Sequence, residues 1–296
     1  MAAAGYRSAA YAAALTGFGT PVALGDTGGH VLTRPIPGSG RADLAGPYPL
    51  FDCSDWGALA PALAALPGDP VSLTLVAGPF CPLPPARLAA LFGLCRPLHD
   101  HWLIDLAQPL APSRHHRRKL KTAGPARIEA GPADPARAGD WGALYANLAA
   151  RKHITDARAF TPASLAAQLA VPGAHWITAW DGEALIGADL YYLDGPVAHA
   201  HLSAYAKAGY ARSVSYPMMA AAVDYFAPRA GVIDLGGAPA GATGMAHFKR
   251  GWTAVSRPSH LCGLIADPAA YARLAAGRDT AWFPAYRAGE FTPPPP

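Results

Sequence analysis

Cysteine is scarce in this chain: Cys53, Cys81, Cys95 and Cys262 stand far apart, with no Cys-x-x-Cys pair and no metal-type spacing. The pattern excludes a recognisable zinc module, so no metal is expected, and it fits a reducing cytoplasm. No apolar run approaches the ~20 residues that cross a bilayer. Met1 to Gly19 lacks the charged start and apolar block of a secretory signal, so a soluble intracellular protein is expected. A Gly-x-Ser-x-Gly elbow is missing too, and no cysteine sits in a nucleophile motif, which argues against a covalent acyl-enzyme. Charged residues are only 15% of the chain and hydrophobic ones 51%, which excludes disorder and allows one large or two modest cores. The 31 Gly and 31 Pro, with abundant Ala, read as the coding bias of a high-GC bacterium.

The absence with the sharpest consequence is local. From Leu106 to Ile128 there is no Asp or Glu, yet Arg114, Arg117, Arg118, Lys119 and Lys121 crowd one short run. Ser113 after Pro112 is a good N-cap, so a helix is expected to start there. On that helix Arg114, Arg117, Arg118 and Lys121 share one face, while Leu120 and Ala123 point toward a core. A merely solvated helix would interleave carboxylates as i, i+4 partners. An unpaired cationic stripe suits phosphates, and Arg117 and Arg118 are the preferred contacts because guanidinium forks match phosphate oxygens. The alternative is a structural stripe held by backbone carbonyls or distant acids. With Arg127, the run supplies six positive charges against a net +4, so the basicity is local and suits a defined anionic ligand. The same localisation argues against general nucleic-acid coating, and no aromatic residues interleave the run, which argues against a base-stacking RNA module.

Hydrophobic periodicity predicts helices over Tyr6 to Leu15, Asp55 to Leu66, Pro85 to Leu94, Trp141 to Arg151, Thr161 to Leu169 and Tyr216 to Phe226. Strands are expected at Pro21 to Ala23, His30 to Thr33, Val71 to Val76, His101 to Leu106, Trp176 to Trp180, Ala184 to Leu193, Val197 to Tyr205 and Gly231 to Leu235. Asp181-Gly182 reads as a hairpin turn, and Phe248 as the entry to a final extended section. Pro293 to Pro296 reads as a frayed end.

Four segments in this order resemble the Fem-type (FemAB-like) branch of the GCN5-related N-acyltransferase (GNAT) superfamily. They are Asp43-Leu44-Ala45-Gly46-Pro47-Tyr48, the run Ser113 to Lys121, the strand pair around Asp181-Gly182-Glu183, and Asp234-Leu235-Gly236-Gly237 followed by Phe248-Lys249-Arg250-Gly251-Trp252. The resemblance spans residues 6 to 275 and implies an α/β (α+β) fold of two tandem GNAT-like lobes. Each lobe is a mixed, mostly antiparallel sheet flanked by helices, the first lobe (1–108) degenerate and the second (109–275) holding the acyl donor, with a tail over 276–296. It implies transfer of an activated acyl group to an amine, forming an amide. The aminoacyl group of an aminoacyl-tRNA is the preferred donor and an acyl-CoA the alternative, with no tightly bound cofactor. The acceptor would be an amine of a small molecule or of a cell-envelope or natural-product component; no long helical arm interrupts the second half as in some peptidoglycan members, so its identity does not carry over.

The resemblance also implies site residues. Phe248-Lys249 would lie at a strand end beside the acyl carbonyl, with the Lys249 ammonium holding the oxyanion. Tyr48 and Asp52 would orient the acceptor. Gly209, Arg212 and Ser213, within Lys207 to Ser213, occupy the place of a pyrophosphate loop, although Ala206 replaces its usual Gln or Arg; a tight turn with no ligand is the alternative. From the residues alone, His199, His201, Ser203 and Tyr205 alternate on one strand face. A cleft-lining reading makes His201 a candidate general base and Tyr205 a ligand contact; a solvent face is the alternative. Asp189 is a further carboxylate to explain, since Asp is disfavoured in a strand unless paired.

Overall fold

A computed structural model of the chain describes residues 3–154, 158–238 and 241–290. Ser8 accepts a hydrogen bond from the Tyr11 backbone N–H at 3.1 Å, so α1 starts late and covers only Ala9–Ala14. β1 (Thr20–Ala23) and β2 (His30–Ile36) pair antiparallel, followed by β3 (Arg41–Ala45), which the sequence reading missed. Asp55 takes the N–H groups of Gly57 and Ala58 on its side chain, delaying α2 to Leu59–Ala64. β4 (Ser72–Ala77), α3 (Pro85–Phe92) and a long β5 (Leu94–Asp105) complete the first third.

The cationic helix forms as α4 (Arg114–Thr122), with Ser113 as its N-cap. β6 (Arg127–Pro132), α5 (Ala138–Lys152), α6 (Pro162–Leu169), β7 (Ala174–Asp181), β8 (Ala184–Asp194) and β9 (Val197–Tyr205) follow. Asp181 pairs with Ala184, so the hairpin turn is Gly182-Glu183, one residue later than expected. Next come α7 (Lys207–Arg212), α8 (Ser215–Phe226), β10 (Val232–Asp234), α9 (Thr243–Arg250), β11 (Ser256–Ile265) and α10 (Pro268–Ala275). The expected frayed end, Pro293 to Pro296, lies outside the described residues.

The strands make one mixed sheet in the order β1-β2-β3-β4-β11-β5-β10-β9-β8-β7-β6. Only β3–β4 and β9–β10 are parallel among its described pairs. Helices flank the sheet, giving the expected mixed, mostly antiparallel α/β fold. The two halves interlock across the expected boundary at 108. Late in the chain, β11 inserts between β4 and β5. Early in the chain, Tyr6 and Tyr11 join the core of Trp141, Tyr145 and Tyr192. The segment expected as a tail packs back as well: Arg287 forks onto the Asp43 carboxylate at 2.6 and 2.8 Å, and the Tyr286 hydroxyl lies 2.7 Å from Ser72. Among the described residues no helix is long and apolar enough to cross a membrane.

Candidate active site

The middle of the sheet, where the halves meet, holds a buried carboxylate. Asp234 ends β10, with Leu103 on β5 and His199 on β9 as its register neighbours. Its oxygens accept from His101 Nδ1 at 3.0 and 3.1 Å, from His199 Nδ1 at 3.2 Å and from the Gly236 N–H at 2.8 Å. Burial alone would push its pKa up; the hydrogen bonds from the two imidazoles outweigh that and hold the carboxyl well below the ordinary range.

Lys249 approaches this carboxylate from α9. The expected strand end is corrected: Thr243–Arg250 is helical and closes at Gly251, with basic residues in its last turn, where they favour the helix dipole. The Lys249 ammonium donates to the Gly237 carbonyl at 2.5 Å, which a tight turn at Gly236 (φ +75°) presents. Burial lowers its pKa to about 8, opposed by the charge of Asp234. Phe248 faces elsewhere. Its ring packs against His116, Tyr216 and Trp252, and its carbonyl lies 2.9 Å from His116 Nε2.

Beside His199 a narrow cleft opens, lined by Tyr6, Phe51, Asp52, Trp56, Phe80 and His199 among others. Asp52 lies there with its pKa raised by burial, against the pull of a Cys53 N–H and the Arg7 guanidinium 3.8 Å away. Asp52 and Lys249 therefore belong to one neighbourhood, linked through His199 and Asp234.

His201 is a poor base here. Nδ1 lies 3.1 Å from the Tyr6 hydroxyl and Nε2 2.9 Å from Gln168 Oε1, so both ring nitrogens are engaged. Burial, aided by nearby His199, drops its pKa to about 3. The expectation that His201 accepts a proton is corrected in favour of a neutral, structural imidazole. Tyr48 sits close by: its carbonyl accepts the Tyr11 hydroxyl, and its ring packs on Phe160.

The cationic stripe has the expected face. Arg114, Arg117, Arg118 and Lys121 are exposed, and none pairs with a carboxylate among the described residues. Arg117 reaches the Pro112 carbonyl at 2.5 Å. α4 meets α9 through its opposite side, where the Ser113 N–H donates to the Gly251 carbonyl at 2.8 Å and His116 is fully buried. The stripe and Lys249 are thus carried on two helices that meet at Ser113, His116 and Gly251.

Lys207 to Ser213 is not an open loop but α7, ending at Ser213 in the left-handed region (φ 57°). A Cβ on Gly209 would sit 2.1 Å from the Ile186 carbonyl, so glycine is needed there for packing against β8. Arg212 is engaged with Asp181 at 2.6 Å and the Pro125 carbonyl at 3.0 Å. Ser213 lies 3.4 Å from the Lys119 ammonium. These contacts give Gly209, Arg212 and Ser213 scaffold roles in a short helix, in keeping with the ligand-free alternative.

Tyr205 donates to the buried Asp189 at 2.6 Å, so it too is committed. Burial raises the Asp189 pKa to about 6, with hydrogen bonds from Tyr205 and Ser203 opposing. A carboxyl raised in the fold stabilises below its unfolded pKa of ~3.9 and loses that contribution as pH rises through 6. Asp189→Asn, which keeps an acceptor for Tyr205, is expected to gain up to about 3 kcal/mol at pH 7 and nothing at pH 3.5. Urea unfolding at the two pH values measures the difference.

Sequence reasoning missed the roles of His101 and His116 and did not single out Tyr6, Trp56 or Phe80. One signal was available: His99-x-His101 and His199-x-His201 are alternating pairs on two strands, and Asp234 ends a third. A charge at the end of a short apolar strand needs partners.

Residues 112–250 match the family profile described as an acetyltransferase (GNAT) domain. The chain carries a GNAT domain and has the fold of the Fem-like branch of that superfamily. No curated protein matches the sequence. Among solved structures, FemX superposes with a TM-score of 0.63 at 12% identity, covering 89% of this chain and 92% of the other. The C-terminal domain of a protein assigned as lysylphosphatidylglycerol synthetase, from Agrobacterium fabrum, gives 0.58 at 15%, covering 92% and 91%. L-PGS from Bacillus licheniformis gives 0.54 at 12%, covering 89% and 93%.

Proposed function

We propose that the protein is a cytoplasmic N-acyltransferase that forms an amide by moving an aminoacyl group from an aminoacyl-tRNA to the amine of a small acceptor. The observation that carries the reading is Lys249. Its half-buried ammonium stands between the Gly236-Gly237 turn and the Asp234 carboxylate, where a carbonyl oxygen gaining charge meets a fixed cation. An ester or thioester donor is already activated, so no protein nucleophile is needed. The unpaired face of α4, one helix away, offers Arg114, Arg117, Arg118 and Lys121 to the donor's phosphates. Two relatives in fold, FemX and a lysylphosphatidylglycerol synthetase, are in keeping with aminoacyl chemistry. Acyl-CoA is the second donor reading, favoured by the acetyltransferase profile over residues 112–250.

Charged tRNA and acyl-CoA are offered separately with a panel of amines, and amide products are read by mass spectrometry. A ribonuclease-sensitive product from charged tRNA supports the first donor, and a resistant product from the thioester supports the second. RNA binding with no product from either donor overturns the enzyme in favour of a binding module.

The protonated Lys249 is the working form in this scheme. Product formation is therefore expected to fall as pH rises through about 8, and Lys249→Arg to move that decline to higher pH. A rate that climbs steadily through pH 9 in the wild type contradicts the role.

A further inference from the structure

The geometry points to His199 as the general base of the transfer, and to the cleft beside it as the subsite for an amine carried on a small aromatic or apolar body; this rests on the acyl-transfer reading. His199 Nδ1 faces Asp234 Oδ2 at 3.2 Å. A carboxylate there takes the Nδ1–H, which leaves the lone pair on Nε2, and the imidazole lines the cleft. Nε2 makes no hydrogen bond to the described residues, in contrast to His201, whose nitrogens are both engaged. Asp234 acts through His199 as a positioning residue.

The walls of the cleft select the acceptor. Phe51 and Trp56 meet edge to face with ring centres 5.7 Å apart, while Phe80 and Tyr6 stand 5.9 and 5.3 Å from the His199 ring. Only Asp52 and His199 bring strongly polar groups to the cleft lining. A cation beside aromatic faces and one carboxylate is well held, and an apolar body fits the remaining wall. The cleft holds only about 30 Å³ of enclosed space, so it seats the amino group itself and leaves the body of the acceptor against the aromatic wall at its mouth.

In the reaction His199 Nε2 takes one proton from the bound ammonium, and the freed nitrogen lone pair attacks the acyl carbon. The C–N bond forms as the carbonyl π pair moves onto oxygen beside Lys249. Collapse of that adduct breaks the bond to the donor's oxygen or sulfur. The His199 proton passes to this leaving atom, and the second nitrogen proton leaves to solvent.

Two measurements on the full chain test the proposal. In the first, histidine-labelled protein is titrated with phenethylamine and with propylamine, the His199 signals being assigned from their loss in His199→Gln. Phenethylamine is expected to shift those signals and bind at least tenfold more tightly than propylamine, and Phe80→Ala to erase the preference. Unmoved His199 signals, or equal binding of the two amines, overturn the subsite. In the second, His199→Gln, checked for wild-type thermal unfolding, is expected to slow transfer to phenethylamine by ~10²–10³-fold. With hydroxylamine, which is already neutral at neutral pH, the loss is expected to stay under tenfold. Equal losses with both overturn the base. Selective phenethylamine binding without amide from any donor upholds the subsite and refutes the transferase reading.

Discussion

Lys249→Met is expected to cut amide formation by ~10²–10³-fold or more in kcat, while the protein is expected to unfold at the same or a higher temperature at pH 7. The two halves of that result come from one fact. An ammonium in this place is disfavoured by burial, which is why its pKa falls to about 8. A base with a lowered folded pKa costs stability below that pKa, and the cost fades as pH rises from 8 toward the unfolded value of ~10.4. Met fills the same volume without a charge, so folding does not suffer, although the hydrogen bond to Gly237 is lost. The developing oxyanion loses its nearest cation. A mutant that is inactive because it is unfolded would show the opposite stability shift, so paired thermal unfolding and single-turnover assays separate the cases.

Gly251→Ala is expected to be among the most destructive single-methyl changes at the described residues. A Cβ built at 251 would lie 1.9 Å from His116 Cε1 and 2.3 Å from both ring nitrogens. The ring has no free direction: Trp252 and Tyr216 stand at 4.9 and 5.0 Å, and its nitrogens face Ser113 Oγ and the Phe248 carbonyl at 3.0 and 2.9 Å. Accommodating the methyl means prising α4 from α9, at or beyond the ~1–3 kcal/mol typical of overpacking. That contact also sets where the last turn of α9 sits, so transfer activity is expected to fall further than stability. His116→Ala in the same background relieves the clash, and partial recovery of the unfolding midpoint checks the cause.

Local rules carried the sequence reading where the chain decides locally. Ser113 and Thr161 cap the expected helices, and the β7–β8–β9 meander forms where its strands were expected. The exposed cationic face of α4 was legible because unpaired charge is visible in sequence, whereas Lys249 and Asp52 came from the family resemblance. What escaped was decided by tertiary pairing. His201 and His199 look alike two residues apart, yet only one meets Asp234, because β10 lies parallel to β9 in that register. Phe248-Lys249 follows a stretch with several glycines, which suggested an extended approach; between Gly241 and Gly251 the chain has room for two turns of helix and takes them. Lys207 to Ser213 reads as a loop until Gly209 is seen to fit against Ile186.

The insertion of β11 has a consequence for how the molecule is made. Residues 256–265 supply the strand that joins β4 to β5, so a ribosome that has finished the first hundred residues has released two sheet edges still waiting for the same late strand. Exposed edges of that kind recruit other chains. The order of synthesis therefore leaves the nascent amino-terminal half dependent on a partner made last, and cutting the gene near its middle yields two sticky fragments in place of two proteins.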